Sequence, residues 1–388
     1  MYNVLTLNEI SAKGTDKLCA SDFNVGNNVE AAQAVIVRSA DMHSYDLNPE
    51  LLGIARAGAG TNNIPIDKCT DEGIVVFNTP GANANAVKEL VLTGMLLSSR
   101  KILEGIEWTK GLKGTEGIPA NVESGKKQFI GPELRGKKLG VIGLGAIGVL
   151  IANSAVSLGM EVIGYDPFLS VQSAWNISAG VELAPNMDAV LVDSDFITIH
   201  VPFNKETKGM FNEELFAKVK TGCRLLNFSR GELVDTDALT KALENGTLYR
   251  YITDFPNEDM LNLDNVISIP HLGASTPESE ENCAEMAALQ LKDFLQFGII
   301  KNSVNFPECD SPYCGKARIT LAHKNVPKMV GSITNILADE NLNIDNMVNK
   351  SKGDIAYTIV DLDTLGDKSE DILAKLNAIQ GMIRVRLI

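Results

Sequence analysis

Leu139-Gly-Val-Ile-Gly-Leu-Gly-Ala-Ile-Gly148 is an apolar run that passes straight into Gly143-x-Gly145-x-x-Gly148 and then into a helix-forming stretch. The three glycines have separate tasks in such a turn. Gly143 permits the tight bend, Gly145 lets the backbone approach a pyrophosphate, and Gly148 lets the helix pack closely on the strand. The amides that open the helix, at Ala146 and Ile147, attract the phosphate charge. Asp166 then closes the next apolar run, Glu161-Val-Ile-Gly-Tyr-Asp166. A carboxylate there bonds both ribose hydroxyls and repels a 2′-phosphate, so NAD is the expected cofactor.

On either side of this loop the chain alternates between strand-like and helix-like stretches. Downstream, Val141–Ile142, Glu161–Tyr165, Phe196–His200, Arg224–Asn227, Arg250–Asp254 and Val266–Ile269 are short apolar runs separated by helix-length segments, the pattern of a parallel, doubly wound α/β sheet. Upstream, Val4–Leu7, Ala34–Arg38 and Val75–Asn78 predict a second α/β unit. After a helix-like Glu278–Phe297, the aperiodic stretch Asn305–Gly315 reads as a linker. Beyond it, Ala317–Leu321, Pro327–Asp339, Ile344–Asn349, Ala356–Asp361, Glu370–Ile379 and Met382–Leu387 spell a ferredoxin-like βαββαβ sandwich.

Whole-chain properties narrow the function. A length of 388 residues implies two or three domains, and 45% apolar with 22% charged residues excludes disordered and fibrous classes. A formal net charge of −14 without any Lys/Arg-rich run argues against nucleic acid or an anionic membrane as partner. An anionic substrate then needs a few local cations. Cys19, Cys69, Cys223, Cys283, Cys309 and Cys314 form no CxxC pair, and with four histidines in the chain no metal site is expected. The N-terminus has no signal-like segment and no run reaches membrane length, so the cytoplasm is the expected location.

Hydride transfer from an alcohol needs a base for the hydroxyl proton, a cation for the carboxylate and carbonyl oxygen, and a group that tunes the base. One of each follows a predicted strand, at the carboxyl edge where open α/β sheets bind ligands. Arg230 lies in Asn227-Phe-Ser-Arg-Gly-Glu-Leu-Val-Asp235, Glu258 in Asp254-Phe-Pro-Asn-Glu258, and His271 in Ile269-Pro-His-Leu-Gly-Ala-Ser-Thr276. Taken singly, each has a plainer reading as a strand-end histidine or a solvated loop charge. Only the set points to chemistry. His200, in Thr198-Ile-His-Val-Pro202, reads as wall structure beside the cofactor.

Together with Val37-Arg-Ser39, Ala55-Arg-Ala-Gly-Ala-Gly-Thr-Asn-Asn63 and Asn78-Thr-Pro80, these segments resemble the D-isomer-specific 2-hydroxyacid dehydrogenases over nearly the whole chain. The resemblance implies that Arg230 binds the substrate carboxylate and polarises the C2 oxygen. His271 takes the hydroxyl proton as NAD+ accepts the hydride, while Glu258 orients the imidazole. The amides of Ala59 and Gly60 complete the carboxylate site. Arg56, Arg38 and Lys126 of a neighbouring subunit are the cations for a substrate phosphate, with Lys88 beside the cofactor cleft. Thr79, His200, Pro202, Thr207, Asp254 and Gly273 line the cofactor. One departure stands out. The family's Asp-Val-Phe-x-x-Glu-Pro reads here Thr253-Asp-Phe-Pro-Asn-Glu-Asp259, so the aspartate column holds Thr253 and Asp254 follows on the opposite strand face; which of the two meets the nicotinamide is open.

By the same resemblance, a discontinuous flavodoxin-like substrate domain (1–97 and 290–308) surrounds a Rossmann domain (98–289), and 315–388 is similar to ACT regulatory domains. A homodimer or homotetramer is implied. The implied reaction is oxidation of D-3-phosphoglycerate to 3-phosphohydroxypyruvate at the start of L-serine biosynthesis. Glycerate, lactate or 4-phosphoerythronate as substrate, or an NAD-sensing corepressor, are the alternatives. His323, Asn325 and Asn343 fall where ACT domains hold serine as an effector, although Lys328 replaces the usual glycine there.

Overall fold

The computed structural model describes residues 1–313, 317–365 and 369–388, so Cys314 and the end of the expected linker lie outside the described residues. The chain forms two compact units, one of residues 1–83 with 277–388 and one of residues 84–276.

Residues 84–276 build a seven-stranded parallel sheet. Its strands are β6 (Lys138–Ile142), β7 (Glu161–Tyr165), β8 (Val181–Leu183), β9 (Phe196–Ile199), β10 (Cys223–Asn227), β11 (Leu248–Thr253) and β12 (Val266–Ser268), in the order β12-β11-β10-β9-β6-β7-β8. This is the Rossmann order with one strand added, and the sequence reverses direction between β6 and β9. Apolar layers cover both faces. Leu225, Leu239 and Tyr251 belong to one, and Val91, Val141, Ile151 and Ile252 to the other. β8, Val-Glu-Leu, is absent from the sequence reading because a glutamate interrupts its three residues and leaves no apolar run to recognise.

The other unit contains two sheets. β1 (Tyr2–Leu7), β2 (Phe23–Gly26), β3 (Ala34–Val37), β4 (Gly53–Arg56) and β5 (Val75–Phe77) pair in parallel in the flavodoxin-like order β2-β1-β3-β4-β5. β2 and β4, four residues each, again escaped the reading of apolar runs. The third sheet is antiparallel: β13 (Ala317–Lys324), β14 (Ile344–Lys352), β15 (Ile355–Leu362) and β16 (Met382–Leu387), ordered β14-β15-β13-β16. Ile319, Leu321, Val360 and Leu362 on one face pack on the helices Met329–Asp339 and Ser369–Asn377, completing the ferredoxin-like sandwich.

The opposite face of that third sheet is not free. Ala322, Tyr357 and Ile359 enter the same apolar core as Phe294 and Leu291 of the helix Pro277–Phe297 and as Val4, Ile36 and Phe77 of the first sheet. The polar contacts follow a single pattern, because the last carbonyls of that 21-residue helix have no partners within it. Arg386 donates to Leu295 O at 3.0 Å and Phe294 O at 3.4 Å, Arg318 to Phe297 O at 2.9 Å, and Tyr357 to Gly298 O at 2.9 Å. Cations at a helix C-terminus also meet its negative dipole end. Arg318 and Asp361, both at most 1% exposed, form a two-pronged ion pair, and Arg318 further reaches Ser311 O and Pro312 O. The stretch read as a linker is therefore tied in, with Phe306 and Cys309 fully buried and Ile300 bridged to Cys309.

Asp361→Ala leaves a buried guanidinium without its counter-charge, which costs about 3–5 kcal/mol. The expected result is a lower urea midpoint for the unit that holds it. An unchanged midpoint would show that the pair does not hold the C-terminal sheet in place.

Candidate active site

The glycine loop joins β6 to the helix Ala146–Ser157. Gly143 has φ +93°, and a Cβ there would stand 2.4 Å from His200 O. A Cβ on Gly148 would stand 1.9 Å from Gly143 O, so helix and strand approach as closely as backbones can. At Gly145, by contrast, a Cβ would meet nothing within 4 Å, and no side chain caps this helix. The first-turn amides, beginning at Ala146 and Ile147, thus face open space and suit a diphosphate. Asp166 follows β7 and accepts from Leu144 N and Phe168 N, both at 2.8 Å, which fixes its carboxylate against the loop. This cradle fits a dinucleotide with free ribose hydroxyls.

His200 follows β9. Its Nε2 lies 2.7 Å from Thr198 Oγ1, its Nδ1 is buried without a partner, and burial pushes its pKa down to about 3. It is neutral at any working pH and is no general base. Thr207 donates to Pro202 O at 2.7 Å and closes the turn beyond it.

Three consecutive turns after β10, β11 and β12 bring the reactive groups together. Asn227 ends β10, donates to Arg230 O at 2.9 Å and to Tyr251 Oη at 3.1 Å, and accepts from Ser229 N at 3.2 Å, holding the turn that presents Arg230. The half-buried Arg230 guanidinium donates to Ser229 O and makes no ion pair among the described residues. Phe255, after β11, is near both groups: Arg230 Cζ is 5.9 Å from its ring centroid and the His271 ring 4.6 Å. Neither Asn227 nor Phe255 figured among the residues singled out by sequence. An asparagine at a strand end before Ser-Arg-Gly, and an aromatic in the following turn, were the available signals.

Thr253 and Asp254 are engaged differently. Thr253 Oγ1 accepts from Phe255 N at 3.0 Å and is spent on its own turn. Asp254, 1% exposed, accepts from Gly273 N at 3.2 Å through Oδ2, while Oδ1 is buried without a partner. Burial raises its pKa, against the pull of His271, the Gly273 amide and Arg230. Glu258 is exposed, and its carboxylate makes no hydrogen bond or ion pair with His271 or with any other described residue. Lys88 is engaged with Asn85 Oδ1 at 2.6 Å, and Lys126 with Glu123.

The remaining candidates belong to the other unit. Arg38 pairs with Glu280 at 2.6 Å, Arg56 Nε donates to Arg38 O at 3.1 Å, and Asn78 holds Ala59 O at 2.7 Å beside Gly60. Thr79 is fully buried, and its Oγ1 has no partner. In the C-terminal sandwich His323 is buried, with Nδ1 2.9 Å from Lys324 O and Nε2 2.9 Å from Thr358 Oγ1, whereas Asn325 and Asn343 are exposed. Lys328 has φ +71°, a conformation that favours the glycine it replaces.

Comparison with known proteins is consistent with this geometry. Residues 92–273 match the family described as D-isomer specific 2-hydroxyacid dehydrogenase, NAD binding domain. The chain is 33% identical over 359 residues to the D-3-phosphoglycerate dehydrogenase of Haemophilus influenzae, covering 88% of this chain and 82% of that protein. It is 34% identical to the D-3-phosphoglycerate dehydrogenase of Methanocaldococcus jannaschii, over 86% of this chain but only 62% of the longer archaeal protein. Among solved structures, the NAD+-bound 3-phosphoglycerate dehydrogenase of Entamoeba histolytica superposes with a TM-score of 0.60 at 26% identity, over 78% of this chain and 98% of that one.

Asp166→Ala should weaken NAD+ binding by about tenfold, the worth of a hydrogen-bonded ribose, and narrow the preference over NADP+. Calorimetric titration of both nucleotides checks this. Equal affinity of the wild type for the two would remove Asp166 from cofactor selection.

Proposed function

Because the chain belongs to the D-isomer-specific 2-hydroxyacid dehydrogenases, a family of NAD-dependent oxidoreductases, we propose that it oxidises D-3-phosphoglycerate to 3-phosphohydroxypyruvate, the first step of L-serine biosynthesis. What carries this reading is the similarity to phosphoglycerate dehydrogenases over most of the chain, joined to an unpaired Arg230 and a His271 that share the Phe255 ring. NAD+, when bound, supplies the hydride acceptor. Arg230 binds the substrate carboxylate and draws electron density from the C2 oxygen. His271 removes the hydroxyl proton as C2 loses hydride and returns it in the reverse direction. Glu258 meets the imidazole from the solvent side once substrate is held. Arg38 and Arg56, with the Ala59 and Gly60 amides, receive the phosphate and carboxylate of the substrate.

Assembly as a homodimer or homotetramer is supported by the exposed apolar side chains of Ile102, Leu103, Ile106, Ile118 and Ile130, which a second copy would cover. Lys126 lies in the same segment. The cytoplasm is the proposed location, in keeping with the free thiols of Cys19, Cys69, Cys223, Cys283 and Cys309. No helix among the described residues is long and apolar enough to cross a membrane.

His271→Ala should lower kcat with 3-phosphoglycerate and NAD+ by about a hundredfold or more, with NAD+ affinity near wild type. Steady-state turnover and calorimetry read this directly. A wild type without turnover on 3-phosphoglycerate would refute the substrate assignment. L-serine is the proposed effector, held by Asn325 and Asn343, with His323 bracing the strand behind them. Serine titrated into the full chain should slow turnover and release heat, and Asn343→Ala should lose both effects; no heat and no inhibition at millimolar serine would leave the C-terminal sandwich without an effector role.

A further inference from the structure

The resemblance puts Asp254 beside the cofactor, and the surroundings of its buried carboxylate define a further role towards His271. It leaves the carboxyl end of β11 on the face that carries Ile252, where the helix Ala84–Ser99 packs; a Cβ on Gly273 would stand 3.4 Å both from Asp254 Oδ2 and from Val87. Through Oδ2 it accepts the Gly273 amide, two residues beyond His271, so the loop that carries the imidazole is pinned to β11 by a charge-assisted hydrogen bond. The next residue, Phe255, packs its ring at a tilt against the imidazole itself. Two successive residues therefore fix His271, one through the backbone of its loop and one through its ring.

We propose that Asp254 is the positioning carboxylate of His271, holding its loop and stabilising the imidazolium from the buried side. The inference rests on the reading of His271 as the base, and it gives the interior carboxylate the electrostatic part that the exposed Glu258 does not perform in this geometry. The charged groups that face Asp254 are Arg230 from the turn after β10 and His271 from the loop after β12. Tyr251 on β11 also lies close, but burial pushes its phenol up to about 12 and leaves it neutral. Lys88, on the packed helix, is occupied by Asn85 and Glu89. Oδ1, buried and unpaired, keeps the carboxylate short of acceptable donors, so a proton on the imidazole is the charge it most favours.

The sign of the effect follows from this charge. An ionised Asp254 raises the pKa of His271, so removing the charge lowers it, and the acid limb of the oxidation profile moves to lower pH. The experiment is an NMR titration of the imidazole in the full-length, nucleotide-free protein, with the His271 signal assigned by its loss in His271→Asn. Burial pushes the pKa of His200 down to about 3 and lowers that of His323, and the loss of signal in His271→Asn separates His271 from both. Asp254→Asn, which keeps an acceptor for the Gly273 amide, should lower the His271 pKa by about one unit, and Glu258→Gln by less. Should the Asn variant fail to fold, the carboxyl carbon of Asp254 in the wild type should show a titration step at the midpoint of His271.

An unmoved His271 midpoint in Asp254→Asn, a larger shift in Glu258→Gln, or a wild-type Asp254 signal blind to His271 would each overturn the proposal. The titration needs no turnover. If His271→Ala instead retained full activity, the base assignment would fail while the titration still reported on Asp254.

Discussion

The last turn of the helix Pro277–Phe297 presents backbone carbonyls that the helix cannot satisfy, and the C-terminal sheet satisfies them. Arg386, Arg318 and Tyr357 each reach one or more of the carbonyls between residues 294 and 298, and the buried Asp361 keeps Arg318 aimed. Around these polar contacts lies one apolar layer shared by β1, β3, β5, the helix and β15. The contacts thus decide where the helix stops and which face of the ferredoxin-like sandwich turns inward. An arginine there has a geometric advantage over lysine, since its planar fork serves a carboxylate and several carbonyls at once.

In the Rossmann unit the governing constraint is strand direction. A parallel sheet delivers all its carboxyl ends to one edge, so turns far apart in sequence, after β10, β11 and β12, converge. Arg230, Phe255 with Asp254, and His271 arrive from one turn each. The Arg230 guanidinium makes no ion pair among the described residues, which leaves it a suitable local cation for a carboxylate within a chain of net charge −14. The Phe255 ring lies near both the Arg230 guanidinium and the His271 ring, giving each an apolar neighbour.

Much of this was legible in the residues. The glycine spacing and the long apolar strands of the second half have mechanisms that act within a few residues, and the strand, tight turn and helix are as that spacing implied. The short strands β2, β4 and β8 were not legible as apolar runs, since glycine or a polar residue breaks each of them and their pairing is decided by neighbours distant in sequence. Asp254 illustrates a different limit. Alternation along β11 told that Thr253 and Asp254 face opposite ways, but not that the Gly273 amide waits on Asp254's side. His323 likewise lies beyond the strand Ala317–Leu321 expected from sequence, and only the packing of β13 against β15 puts it inside the sheet. The aperiodic stretch after the long helix seemed a spacer because it has no secondary structure, yet Phe306 and Cys309 are buried by contacts that local sequence does not encode.

The division of the chain also bears on its synthesis. Residues 84–276 are contiguous, so they can collapse as soon as they leave the ribosome. Residues 1–83 cannot complete their layer until the helix and the sheet that close it are made, after residues 84–276. They therefore wait, with Ile36, Phe77 and their neighbours uncovered, while nearly two hundred residues are translated. This interval is where a holding chaperone has the most to do, and slowing translation within residues 84–276 prolongs the exposure of the N-terminal strands rather than that of the segment being made.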